Sequence, residues 1–82
     1  MIIKVLGTGC PNCRNLEKST IRAISELKIE AEVVKVDDIT KIISYGILHT
    51  PALVIDENVV LSGNVPSVDE IKEIIQNALP NN

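Results

Sequence analysis

Residues 1–36 constrain the fold more than any other part of the chain. Ile2 to Leu6 is apolar on both sides of Lys4 and reads as a buried strand, which Gly7-Thr8-Gly9 then breaks. A helical pattern starts at Pro11. Cys13, Leu16, Thr20, Ala23, Ile24 and Leu27 recur at spacings of three and four and share one face. Pro11 suits the first helical position, where its missing N–H costs nothing. Ala31 to Val36 is a second apolar, β-branched run and predicts a second strand. Strand, helix and strand in this order imply a parallel pair joined by a right-handed crossover.

The remainder extends this unit. Asp37 and Asp38 offer N-caps for a short helix through Ile39, Ile42, Ile43 and Tyr45, with Gly46 as its stop. Ala52 to Ile55 and Val59 to Leu61 are two short strands. The polar loop Asp56-Glu57-Asn58 between them predicts an antiparallel hairpin, with Asn58 suited to a left-handed conformation. Ser67-Val68-Asp69-Glu70 is a capping box. It opens a last helix whose stripe is Val68, Ile71, Ile75, Ala78 and Leu79 and which ends at Pro80. The expected fold is α/β, in the order βαβαββα, with one mixed four-stranded sheet and helices on both faces. One domain spanning residues 1–82 is all that this length supports.

Composition narrows the function classes. The chain has one Tyr, no Trp and no Phe, so Ile, Val, Leu and Ala must build the core, and base-stacking on aromatic platforms is excluded. Net charge is −3 with acids and bases interspersed. No basic patch is expected to bind nucleic acid, and no polybasic stretch to bind a membrane surface. The run Met1 to Leu6, interrupted by Lys4, is too short for a signal peptide or a membrane span. The expected compartment is therefore the cytoplasm, where lasting disulfides are rare. Only the tail Pro80-Asn81-Asn82 reads as disordered.

The two cysteines, Cys10 and Cys13, stand in Gly9-Cys10-Pro11-Asn12-Cys13 at the junction of a strand and a helix. A bridge between them closes so small a loop that it stabilises by only about 2 kcal/mol, a poor staple. Such a pair in a cytosolic chain points to redox or metal chemistry. Location favours redox. Unpaired N–H groups and the dipole at a helix N-terminus stabilise a thiolate, lowering its pKa from about 8.5 to between about 3.5 and 7.5. Cys10, at or just before the helix start, is assigned as the attacking nucleophile. Cys13, one turn in on the apolar face, is assigned as the resolving thiol.

Cys10-Pro11-Asn12-Cys13 after strand one, His49-Thr50-Pro51 before strand three and Gly63 after strand four resemble the thioredoxin/glutaredoxin superfamily. Gly7 to Arg14, Leu16-Glu17-Lys18 and Val65-Pro66-Ser67 leading into Glu70-Ile71 are similar to its small thioredoxin-like redox-active disulfide proteins. The resemblance covers nearly the whole chain. It implies a thioredoxin-like fold and reversible dithiol–disulfide exchange through Cys10 and Cys13 with protein disulfides. Pro51 is then cis and lies against the disulfide, and backbone at Thr50 pairs with an extended partner segment. Gly63 leaves room for that partner, or simply ends a strand.

The chain also departs from thioredoxin itself. No Trp precedes Cys10, Pro11-Asn12 replaces Gly-Pro between the cysteines, and the buried acid has no counterpart, Lys4 lying in the first strand instead. His49 is either a neighbour that tunes the disulfide or an ordinary loop residue. Arg14 either supports the Cys10 thiolate or is solvated, and Glu17, Lys18, Arg22 and Glu26 read as a solvated helix face. Tyr45 belongs to the core or its edge. The electron donor is expected to be a thioredoxin-reductase-like protein. Glutathione is expected to be a poor donor, because Leu61-Ser62-Gly63-Asn64-Val65-Pro66 has one Gly and a Pro where glutaredoxins open a glycine-rich turn. No bound cofactor and a monomer are expected. The alternatives are a copper-chaperone-like CxxC module and a thioredoxin-like domain that only binds partners. Two thiolates suit Cu(I), but copper chaperones end on a strand, and a zinc site needs more ligands than two Cys and one His.

Overall fold

The computed structural model describes residues 1–9 and 11–79; Cys10 and residues 80–82, including the expected helix stop at Pro80 and the tail, lie outside the described residues. The elements run β1 (Ile2–Leu6), α1 (Pro11–Leu27), β2 (Glu32–Val36), α2 (Ile39–Ser44), β3 (Ala52–Ile55), β4 (Asn58–Ser62) and α3 (Val68–Ala78). The strands form one sheet in the order β2-β1-β3-β4. β1 is parallel to β2 and antiparallel to β3, and β3 is antiparallel to β4.

Alternation along the central strands builds two cores. Ile3 and Val5 of β1, with Leu53 and Ile55 of β3, pack with Leu16 and Ala23 of α1 and Ile71 and Ile75 of α3. On the other face Leu6, Ala52 and Val54 pack with Ile42 and Ile47, so α2 covers that side. Every residue of β3 is buried, as expected for a strand covered on both faces.

The helices follow the local signals. Cys13, Leu16, Thr20 and Ala23 are the buried residues of α1, with Ile24 and Leu27 packed at the core margin. The buried Thr20 hydroxyl donates to the Leu16 carbonyl at 2.7 Å, which removes the penalty of an unpaired polar group. Asp38 caps α2, accepting from the Thr40 N–H at 2.9 Å. Ser67 caps α3, its side chain accepting from the Glu70 N–H at 3.2 Å while the Glu70 carboxylate reaches back to the Ser67 N–H.

Three local expectations change. Tyr45 is the C-cap of α2 rather than part of it, and Gly46 follows at φ +75°. In α3 Ile74 packs against the core, while Ala78 is exposed. In the hairpin, Ile55 pairs with Asn58, leaving a two-residue loop. The left-handed residues are therefore Asp56 (φ 47°) and Glu57 (φ 70°), and Asn58 opens β4 instead. Positive φ at both central positions is the type I′ pattern, whose twist matches that of the flanking strands. Asp is a common residue at such positions and Glu is not, and both are tied to β1. The Asp56 carboxylate accepts from the Ile2 N–H at 2.9 Å, and the Asp56 N–H donates to the Ile2 carbonyl at 2.9 Å. Glu57 binds Lys4.

The β3–β4 register slips between Leu53 and Val54, which pair with Leu61 and Val59. Val60 is the extra residue of the resulting bulge. Val60 and Leu61, neighbours in sequence, consequently pack on the same core.

Candidate functional site

The candidate site is assembled at one edge of the sheet, where chain direction brings four strand ends together. Leu6 pairs with Val36 on one side and Ala52 on the other, and Ala52 pairs with Ser62. One residue further out lie Gly7, Pro51 and Gly63. The Gly7 N–H donates to the Val36 carbonyl at 2.9 Å, and the Gly63 N–H donates to the Pro51 carbonyl at 2.8 Å. Both bonds continue the ladder one step past the strands, so this row has little freedom to move.

α1 begins above the same edge. Gly9 at φ +88° turns the chain from β1 toward the helix, and Cys13 is the third residue of α1. Its side chain is only 4% exposed. A β-carbon placed on Gly7 would overlap the Cys13 Sγ and lie 3.0 Å from the Cys13 Cβ. The Cys13 sulfur thus occupies the volume that a side chain at residue 7 would fill. Pro11 and Asn12 are exposed in the first turn of α1. That turn contains no acid, so nothing on it opposes the positive end of the helix dipole.

The Thr50–Pro51 peptide bond is cis, Pro51 is buried, and Thr50 is exposed. Gly63 has φ +81°, and a β-carbon there would lie 3.1 Å from the Cβ of His49. Pro51, Gly63 and His49 are therefore one packed group at the end of β3 and β4. Around it the surface is apolar as well as accessible: Leu48 is 91% exposed, and Val65 is also exposed. Of the residues singled out in the sequence, Cys13, Thr50, Pro51 and Gly63 meet at this edge. Arg14 is exposed on α1, and Cys10 lies outside the described residues.

Lys4 does not take the place of the missing acid. It lies on the α2 face of β1, and its Nζ donates to the Tyr45 hydroxyl at 2.9 Å and to Glu57 Oε1. The Tyr45 hydroxyl also reaches Glu57 Oε2 at 3.1 Å. The hydrogen bond that Lys4 donates to Glu57, then the one it donates to Tyr45, holds the ammonium well above the usual lysine range. The same bond from Lys4, then that from Tyr45, holds the Glu57 carboxyl below the usual carboxylate range. A lysine kept protonated in this way accepts no proton, and its partner sits in the β3–β4 turn, at the far end of β3 from Pro51. Its contribution is to tie β1, the end of α2 and the hairpin together.

Two features, Gly7 in the site and Tyr45 away from it, were hidden in the sequence. Gly7 reads there only as a strand breaker, although a Gly directly after a strand and before a CxxC is the available hint of close packing. Tyr45, read as core or edge, packs against the α2-side core and also carries the polar contact to Lys4. Among the described residues no group of three or more His, Cys, Asp and Glu is placed to hold a metal ion, and no helix is long and apolar enough to cross a membrane.

Comparison with known proteins agrees with this geometry. A family model described as a thioredoxin domain matches residues 1–76. A thioredoxin of Methanocaldococcus jannaschii is 39% identical over 79 residues, covering 96% of this chain and 91% of that protein. A thioredoxin of Methanothermobacter thermautotrophicus is 40% identical over 75 residues, covering 92% of this chain and 97% of its own. A four-stranded mixed sheet with three helices, matched over nearly its whole length, places the chain in the thioredoxin family, and its class of chemistry is thiol–disulfide exchange.

Proposed function

We propose that the exchange runs through Cys10 and Cys13 and acts on disulfides of partner proteins. Cys10, directly before the first residue of α1, attacks as a thiolate one sulfur of the partner disulfide. A Cys10–partner mixed disulfide forms and the other partner sulfur leaves as a thiolate. Cys13 then loses its proton and attacks the Cys10 sulfur. The Cys10–Cys13 disulfide closes and the second partner thiolate is released. Two electrons and two protons pass from the pair to the partner, with no bound cofactor. The observation that supports this reading most is the placement of the Cys13 sulfur at the end of β1, in the row that includes Pro51 and Gly63.

An extended partner segment would lie along Thr50, whose backbone is at an accessible strand start, with Leu48 and Val65 as apolar flanks. Gly63 keeps that approach low. A thioredoxin-reductase-like protein re-reduces the pair, glutathione serves poorly, and the protein works as a monomer in a reducing cytoplasm. None of the contacts among the described residues favours the metal-binding alternative.

The test is an equilibrium titration in defined thiol buffers, read by intact mass. A reversible loss of two hydrogens, with a midpoint between about −180 and −270 mV, is the expected result. A Cys13→Ser variant should then accumulate partner mixed disulfides on Cys10. A protein that never loses the two hydrogens, or one in which Cys10→Ser traps partners while Cys13→Ser does not, defeats the assignment.

A further inference from the structure

Gly7 reads in the sequence as a strand breaker, yet of the four glycines it is the one whose added β-carbon would meet a sulfur. A β-carbon there would coincide with the Cys13 Sγ. Its φ does not lie in the left-handed region, unlike Gly9, Gly46 and Gly63. The φ of position 7 does not call for glycine, so the requirement for glycine there is one of space. The backbone cannot easily retreat: the Gly7 N–H is bonded to the Val36 carbonyl, and Leu6 before it is held between Val36 and Ala52.

We propose that Gly7 is a positioning residue for the redox pair, its missing side chain forming the seat that holds the Cys13 sulfur and so setting how readily the Cys10–Cys13 bond forms. The proposal rests on the reading of those cysteines as the exchanging pair. The physical argument concerns which redox state feels the seat. A helical residue has two common χ1 rotamers, because the third drives the side chain into the preceding turn. A methyl group at residue 7 displaces the sulfur from the one it occupies. A thiol tolerates that displacement better, since any hydrogen bond made by a thiol is weak and broad in geometry. A disulfide does not, because the bond requires both sulfurs within a narrow geometry. Crowding the seat therefore penalises the oxidised form more than the reduced one. The reaction is the two-electron, two-proton exchange in which Cys10 and Cys13 become a disulfide while oxidised dithiothreitol becomes its dithiol.

The experiment compares wild type and Gly7→Ala in dithiothreitol buffers, with intact mass as the readout, alongside a thermal-stability cycle with Cys13→Ala. The expected shift is at least tenfold toward the dithiol form in Gly7→Ala, which is about 30 mV less negative for two electrons. In the cycle, Gly7→Ala lowers Tm in the wild-type background and has most of that penalty removed when Cys13 is Ala. An unchanged midpoint in a folded Gly7→Ala protein overturns the proposal. An equal Tm penalty in both backgrounds also overturns it, because the clash would then not be with the sulfur. Should Gly7→Ala fail to fold, refolding of Gly7→Ala/Cys13→Ala supports the seat, and continued failure refutes it. A wild type without any two-hydrogen transition defeats the redox reading instead, and the stability cycle, which needs no redox activity, still decides the seat.

Discussion

Leu16 links the site to the core, and its truncation tests the packing argument quantitatively. It lies one turn after Cys13 on the same face of α1, is 0% exposed, and packs with Ile3, Val5 and Leu53 of the sheet and Ile71 and Ile75 of α3. Leu16→Ala deletes three carbons from a fully buried position. At about 0.8 kcal/mol per buried methylene the transfer loss is about 2.4 kcal/mol. A residual cavity adds about 24 cal/mol per Å³, so a hole of roughly 50 Å³ that fails to collapse contributes about 1.2 kcal/mol more. The expected destabilisation is about 3.5 kcal/mol. For a domain of this size each kcal/mol lowers Tm by about 4–8 °C, giving a fall of roughly 14–28 °C. Urea unfolding monitored by far-UV circular dichroism measures it, and an unchanged m-value confirms that the denatured state is not responsible. The control is Ile43→Ala on α2, where the side chain is 63% exposed and the change should stay within about 0.5 kcal/mol. A Leu16→Ala loss below about 1 kcal/mol, or one no larger than that of Ile43→Ala, would refute the packing argument.

Two further outcomes follow from the hairpin and from the row at the sheet edge. The Glu57 carboxyl has its pKa depressed in the fold, first by its bond from Lys4 and then by that from Tyr45. Its contribution is therefore fully present above the ordinary glutamate pKa of about 4.3 and is lost as pH falls through the lower folded value. Wild type should lose more stability than Glu57→Gln between about pH 5 and pH 2; parallel acid-unfolding curves would contradict the assignment. Gly63→Ala should destabilise more than Gly46→Ala, although both glycines have similar positive φ, because only the Gly63 β-carbon meets His49, at 3.1 Å, while that of Gly46 meets open space. Equal Tm losses for the two variants would show that the His49 contact carries no weight.

Much of the architecture was legible because it depends on neighbours in the chain. The capping box at Ser67, the N-cap at Asp38 and the buried stripe of α1 are written at spacings of two to four residues, and the structure contains each of them. The crossover argument, applied to β1, α1 and β2, led directly to a parallel pair. The Ala78 reading failed on the same helix where the cap reading worked, because Ile74 and Ala78 are both plausible on an apolar stripe. Which of them meets the core depends on how α3 lies over the sheet. Asn58 failed for a related reason: residue preference favoured it for the left-handed position, but pairing of Ile55 with Asn58 moved the turn to Asp56 and Glu57.

The candidate site divides along the same line. The residues proposed for the chemistry, Cys10, Cys13 and Thr50-Pro51, could be picked out in the sequence by residue type and by their place before a helix and a strand. Their geometry could not. Only the sheet register sets Gly7, Pro51 and Gly63 in one row, and only the pitch of α1 over β1 puts the Cys13 sulfur where a side chain at residue 7 would be. The partnership of Lys4 with Tyr45 and Glu57 joins residues 41 and 53 positions apart. Local patterns depend on a few dihedral angles and survive in any context that tolerates the element. Contacts between distant segments exist only after strands have chosen register and helices have chosen a face, which is why folding alone decided the sulfur's seat.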